Sequence, residues 1–180
     1  MSVNISAKQL REPDFVAKVE RAMAKMDSAT LVLEITERDG IGNDPASMSA
    51  MTTLADRGVP FAIDDFGVGF SSIGYLQDMP VRIIKTDLSF SESIDRDERS
   101  CALLCSITMM GQALGLDVVV EGIERASQLD HLRDHVHAPF AQGYLMHRPM
   151  PLDQLVKVIA ENRALPPIPQ RDQARVAPSV

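Results

Sequence analysis

FAIDDFGVGF, residues 61–70, runs three apolar residues into two adjacent carboxylates, Asp64 and Asp65, and then into a glycine-rich stretch. Phe61 to Ile63 read as a strand covered on both faces, because parallel strands packed between other layers lose the apolar–polar alternation of half-exposed ones. A buried strand seldom ends in two like charges without a compensating partner, since each desolvated carboxylate is costly unless paired.

The same arrangement recurs along the chain. Strands are predicted at 2–6, 31–35, 61–64, 82–87, 117–122 and 140–146. Helices are predicted at 15–26, 45–57, 72–77, 97–114, 127–134 and 152–162. Asp44 stands in cap position before Pro45 at the first helical position, and Gly58 and Gly115 follow the ends of two helices. Strand and helix alternate almost without interruption, which predicts an α/β fold on a parallel sheet. The last stretch, ALPPIPQRDQARVAPSV, is proline-rich and aperiodic, and 164–180 is expected to be a disordered tail behind a domain over 1–163.

The ends of these strands carry the chemistry. They deliver Asn4, then Glu34 and Glu37, Asp64 and Asp65, Lys85 and Asp87, Glu121 and Glu124, and Gln142. In parallel α/β folds the C-terminal edge of the sheet is where sites are assembled. One acid at a strand end most simply caps the next helix. Several independent strands converging on one residue type, with a single lysine among them, point to a site. Carboxylates and an amide oxygen are hard donors suited to Mg²⁺, Mn²⁺ or Ca²⁺. An adjacent pair would let one carboxylate bridge two cations and the other bind one, as in a two-metal centre that activates water and clamps a phosphoryl group. Lys85 would supply positive charge, and Glu121 a proton acceptor. Carboxylates plus a lysine base also suit Mg²⁺-assisted proton abstraction in an enolase-like barrel, an alternative that the adjacent aspartates disfavour.

Composition sets outer bounds. The chain has 180 residues, 45% of them hydrophobic, and a net charge of −7 that disfavours a nucleic-acid polymer as partner. No apolar run reaches the roughly 20 residues of a membrane span. MSVNISAKQL has no signal-peptide pattern, so a cytoplasmic setting is expected. Cys101 and Cys105, one helical turn apart, are expected in core packing, with a metal or redox pair as the alternative. His131 and His135 have a zinc-compatible spacing, with a solvated helix face as the simpler expectation. Met48, Met51, Met109 and Met110 are expected in the core.

The ordered segments VNIS, LEITE, IDDFGVGFSSIGYL, IKTDLSF, VEGIE and QGYLMHRPMP, spread over about 2–158, resemble the EAL-domain family of bacterial cyclic di-GMP phosphodiesterases. The resemblance implies a TIM-like (β/α) barrel and metal-dependent hydrolysis of cyclic di-GMP to linear pGpG, with Mg²⁺ or Mn²⁺, two ions in all. It implies Asn4, Glu34 and Asp64 as ligands of one metal, Asp64 and Asp65 of the second, and Lys85 and Glu121 beside the catalytic water. Asp87 would support them, Glu37 would steady the loop Phe66 to Ser72, and Gln142 would lie near substrate and water. The further partners it implies are a homodimer and sensory or diguanylate cyclase domains of a parent protein. No Glu-Ala-Leu tripeptide occurs, so the barrel is expected to be incomplete, a fragment lacking the first strand–helix elements and one metal ligand. A catalytically impaired nucleotide-binding or protein-interaction module is therefore the alternative function. Val68 and Leu88 stand where the family usually has Thr and Arg.

Overall fold

Six short apolar runs become six parallel strands, β1 Ser2–Asn4, β2 Val32–Thr36, β3 Phe61–Phe66, β4 Ile83–Thr86, β5 Asp117–Val120 and β6 Phe140–Ala141, in the order β1-β2-β3-β4-β5-β6. The structure is a computed structural model that describes residues 1–26, 30–37, 44–68 and 73–162. It divides into two units, Met1–His147 and Arg148–Val180. The expected tail over 164–180 lies outside the described residues, as do residues 69–72 of the loop after the aspartate pair.

In the first unit the connections are α1 Ala7–Leu10 and α2 Phe15–Met23, α3 Pro45–Asp56, a 3₁₀ turn Ile73–Gln77, α4 Leu88–Ser91 and α5 Glu98–Ala113. The last is α6 Ala126–His131, continued by a π-helical turn, Leu132–Val136. Each predicted strand or helix has a counterpart, and local hydrogen bonds explain the trimmed ends. Ser6 leaves β1 to cap α1 in a capping box with Gln9. Asp87 leaves β4 to accept from Ser89 N at 2.8 Å and start α4. Gly122, at φ +76°, turns the chain after β5.

Side chains alternate across the sheet as the period of two demands. Leu33 and Ile35, Phe61 and Ile63, Ile84 and Val118 join one core beneath α1, α2, α3 and α5. Glu34, Ala62, Asp64, Ile83, Lys85 and Val119 fall on the opposite face by strand parity and register. A second core joins Leu104, Val120, Ile123, Leu132 and Val136. Met51 is buried as expected, but Met109 is 69% exposed. Being on α5 does not put it on the side that faces the sheet.

The second unit contributes α7 Leu152–Asn162, whose Leu152, Leu155, Val156 and Ile159 form one apolar stripe at helical spacing. Among the described residues no helix is long and apolar enough to cross a membrane.

Helix α5 approaches the sheet at Gly111, where a Cβ would stand 2.5 Å from Val118 Cγ2 and 2.9 Å from Ile84 Cδ1. Both neighbours are fully buried, with little room to shift. Gly111→Ala gains about 1 kcal/mol of helix propensity against about 1–3 kcal/mol of overpacking. A net fall in stability is expected in urea denaturation, and a higher midpoint would refute the close approach.

Candidate active site at the C-terminal edge of the sheet

Strand register stacks the functional groups in successive rows. Asn4 pairs with Glu34, Glu34 with Ala62 and Ala62 with Ile83. One row further on, Thr36 pairs with Asp64, and Lys85 pairs with Val119. Glu121 follows two residues beyond Val119, just past the end of β5. Side chains two residues apart on a strand share a face, so these groups rise on the same side of the sheet.

Lys85 ties them together. Its Nζ donates to Glu34 Oε2 and to Asp64 Oδ1, each at 2.9 Å, and lies 2.8 Å from Glu121 Oε1. The Lys85 side chain is 9% exposed, and those of its partners are 10%, 16% and 20% exposed. Burial works against the lysine charge, but Glu121, Asp64 and Glu34 outweigh it and hold the ammonium well above the usual lysine range. Burial also pushes the Glu121 carboxyl up. Lys85 pulls it back, the charges on Asp64 and Glu34 raise it again, and it settles above its ordinary value. The Lys85–Glu121 contact is close but off the hydrogen-bonding direction, so Glu121 Oε1 is buried in an ion pair with no aligned donor.

The aspartate pair sits in a bulge. Ile63 pairs with Ile84 and Phe66 with Thr86, so β3 carries one more residue than β4 over this interval. Asp65 takes the left-handed conformation, φ +54°, which Asp tolerates better than most residues. On a regular strand two adjacent carboxylates would point to opposite faces; the bulge releases Asp65 from that alternation. Asp64 Oδ1 also accepts from the Asp65 N–H at 3.2 Å.

Glu37, 8% exposed just after β2, accepts at Oε2 from Gly67 N at 2.9 Å, gripping the first residue after β3. Gly67 has φ +102°, and a Cβ there would run into the Phe90 ring at 2.7 Å. Asp87 is the cap of α4. Gln142 is exposed after β6, held through its backbone by bonds to Val120 and Ile123. Asn4 lies exposed on the edge strand, in register with Glu34.

Gln128 escaped the sequence reading. It is 1% exposed, its Oε1 accepts from Glu124 N and Arg125 N at 2.9 and 2.8 Å, and its Nε2 donates to Ser91 O at 2.8 Å. It therefore fixes the loop that carries Glu121. The available signal was its place three residues after Arg125 at the start of a helix, a capping-box position.

Among the described residues no three acidic, histidine or cysteine side chains stand ready as a metal group; the centre of the cluster is taken by Lys85 Nζ. The donor set nevertheless fits a hard cation. Three carboxylates against one ammonium leave surplus negative charge, and the misaligned Glu121 Oε1 is a buried acceptor still open to a better partner.

Comparison with known proteins places the chain in context. The EAL domain description matches residues 1–149. The cyclic di-GMP phosphodiesterase NbdA of Pseudomonas aeruginosa is 36% identical over 178 residues, covering 97% of this chain and 23% of NbdA. The EAL enzyme Bd1971, solved with cAMP and cyclic di-GMP bound, superposes with a TM-score of 0.81 at 37% identity, covering 88% of this chain and 42% of that one. The EAL domain of Mycobacterium smegmatis DcpA superposes with a TM-score of 0.83 at 29% identity, covering 91% and 74%. The chain spans about a fifth to a third of the length of the curated relatives it matches.

Lys85→Met removes the cation from among three carboxylates. Breaking a buried pair from one side costs about 3–5 kcal/mol. The stranded carboxyls would have folded-state pKa values above their unfolded ones, so their penalty is present at higher pH and relieved as pH falls through those raised values. The stability deficit against the wild-type chain should be large near about pH 8 and shrink toward about pH 5. A deficit that does not change with pH would contradict the arrangement.

Proposed function

The chain belongs to the EAL domain family, and we propose that its strand-end cluster serves the metal-dependent hydrolysis of cyclic di-GMP to linear pGpG. The observation that carries this reading is the convergence of Glu34, Asp64 and Glu121 on Lys85 at the C-terminal edge of a parallel sheet. Asn4, Glu34, Asp64 and Asp65 would hold two Mg²⁺ or Mn²⁺ ions, which when bound polarise a phosphodiester and acidify water.

The chain's own residues then divide the remaining work. Glu121, its carboxyl raised by burial, is a stronger base than a solvated glutamate and takes the proton of the attacking water. Lys85, its ammonium held above the usual lysine range by the three carboxylates, offers positive charge to the phosphate as negative charge builds on its oxygens. The water oxygen bonds to phosphorus, one P–O3′ bond breaks, and the departing oxygen takes up a proton. Glu37 holds Gly67 and with it the start of the loop, Asp87 fixes the turn after β4, and the exposed Gln142 would lie near the substrate at the next strand end.

A second reading, a nucleotide-binding or protein-interaction module without turnover, is favoured by one observation: Lys85 Nζ stands where the acids converge. In either reading the setting is cytoplasmic. The greater length of the relatives agrees with a parent protein carrying sensory or cyclase domains.

Incubating the chain with cyclic di-GMP and Mn²⁺ and following linear product by chromatography separates the two. Turnover is expected, with a fall of about 10²–10⁴-fold in kcat for Glu121→Gln and its loss in Asp64→Ala. Nucleotide binding without product in the wild-type chain would establish the non-hydrolytic module instead.

A further inference from the structure

The strand ends that meet at the Lys85–Glu121 ion pair are joined a second time by Gln128, whose carboxamide uses both of its ends to do so. Oε1 accepts from Glu124 N and Arg125 N, at 2.9 and 2.8 Å, in the loop that follows Glu121. Nε2 donates to Ser91 O at 2.8 Å, at the end of the α4 turn that follows Lys85. Gln128 is 1% exposed and Ser91 is fully buried, so these bonds are made away from water. The start of α6 asks only for an acceptor at this position, which a glutamate would also supply. The Ser91 carbonyl asks for a donor as well, and a carboxamide offers both. The link to α4, and not the cap, therefore explains the residue type.

Neighbouring groups close the same gap. Gly122, at φ +76°, lets the loop lie against α4, where a Cβ would stand 2.7 Å from Ser91 Oγ and 2.9 Å from Leu88 Cβ. Arg125 donates to Glu92 O at 2.8 Å and to Asp95 Oδ1 at 2.7 Å. Ile123, in the middle of the loop, is fully buried in the second core. The α6 segment is anchored there too, through Leu132 and Val136 of its π-helical turn. Cys101 and Cys105 pack against that core as the sequence predicts. His131 is half-buried with Nε2 3.1 Å from Cys101 Sγ, which corrects the expectation of a solvated face.

We propose that Gln128 is a positioning residue: by bonding α4 and the loop after β5 to one carboxamide, it sets where Glu121 stands relative to Lys85 and to the reacting water. The water belongs to the hydrolytic reading of the site, on which that part of the inference rests; the brace between the two strand ends does not depend on it. Gln128 acts through Glu121 and handles no proton itself. Without it, two buried N–H groups and a carbonyl lose their partners, a penalty that the loop escapes by opening to water and carrying Glu121 along. A displacement of about 1 Å is enough to cost about 10²-fold in rate.

Gln128→Met, close in volume and without the three bonds, is the test, read first by amide hydrogen exchange. Exchange should quicken at Glu124 and Arg125 and also across the brace at Glu92 and Ile94, whose amides bond to Leu88 O and Ser91 O. Gly111→Ala, which strains the contact of α5 with the sheet, should show no such local rise. With cyclic di-GMP and Mn²⁺, Gln128→Met should lower kcat by about 10²-fold with KM little changed. Added to Glu121→Gln it should cost almost nothing more, because both changes act on one group. In the wild-type chain the Gln128 side-chain amide protons should exchange slowly and show nuclear Overhauser contacts to Ser91, a result independent of how the variant folds. Unchanged exchange at Glu92 and Ile94, a full multiplicative loss in the Glu121→Gln background, or a freely exchanging Gln128 carboxamide would each overturn the proposal. A wild-type chain without turnover removes the hydrolytic reading and leaves the exchange rates to decide the brace.

Discussion

The contacts of Lys85 with Glu34, Asp64 and Glu121 are the constraint on which the upper edge of the sheet depends. The one ammonium donates to acids of β2 and β3 and lies beside a third from the loop after β5. Three strand ends are therefore tied to β4 through a single atom. Shifting any of these strands by one residue would send its acid to the opposite face, into the core of Leu33, Ile35, Phe61 and Ile63. Apolar packing on one face and charge pairing on the other thus specify the same register. Neither would be as selective alone, because an apolar strand buried on both sides tolerates slippage better than one carrying a charge.

The aspartate pair shows how the sheet accommodates a demand that its own period forbids. Regular strands cannot present two successive side chains to one face. The extra residue between Ile63 and Phe66 and the left-handed backbone at Asp65 break that rule locally. Such a conformation costs on the order of 1–3 kcal/mol at a non-glycine residue. It persists because its surroundings hold it from several sides: Asp64 by Lys85, the Asp65 N–H by the Asp64 carboxylate, and Gly67 by Glu37. The strain sits at the aspartate pair, and the rest of β3 is regular.

How much of this was legible depended on the range of the physics involved. The strands and longer helices were readable because apolar period and caps such as Asp44 and Asp97 are local. The short helices α1 and α4 were not, since four residues leave no periodic trace and only Ser6 and Asp87 mark them. The strand-end acids were visible as a set, but their dependence on one lysine was not, because it joins residues 51 and 21 positions apart. The bulge at Asp65 is a mismatch between two strands and has no signature in either alone. Gln128 reads as a surface residue until its carboxamide is seen to hold the loop that carries Glu121.

The same lysine bears on both readings of the site. Three carboxylates around one ammonium leave the cluster negative, and Lys85 reaches all three. Pre-arranged donors bind a hard cation with less reorganisation than a set that must first be gathered against its own repulsion. A cation entering here would still have to share those oxygens with Lys85. The lysine that assembles the cluster would thus also weaken any hold on a metal, and the outcome would turn on which donors Lys85 released. Glu121 is the one held least well, since its contact is off-axis and its carboxyl is already raised by burial. A loosely held carboxyl raised by burial is the one of the three that would most readily accept a proton. That division of labour among three chemically similar acids is set by alignment and burial, and residue type alone does not distinguish them.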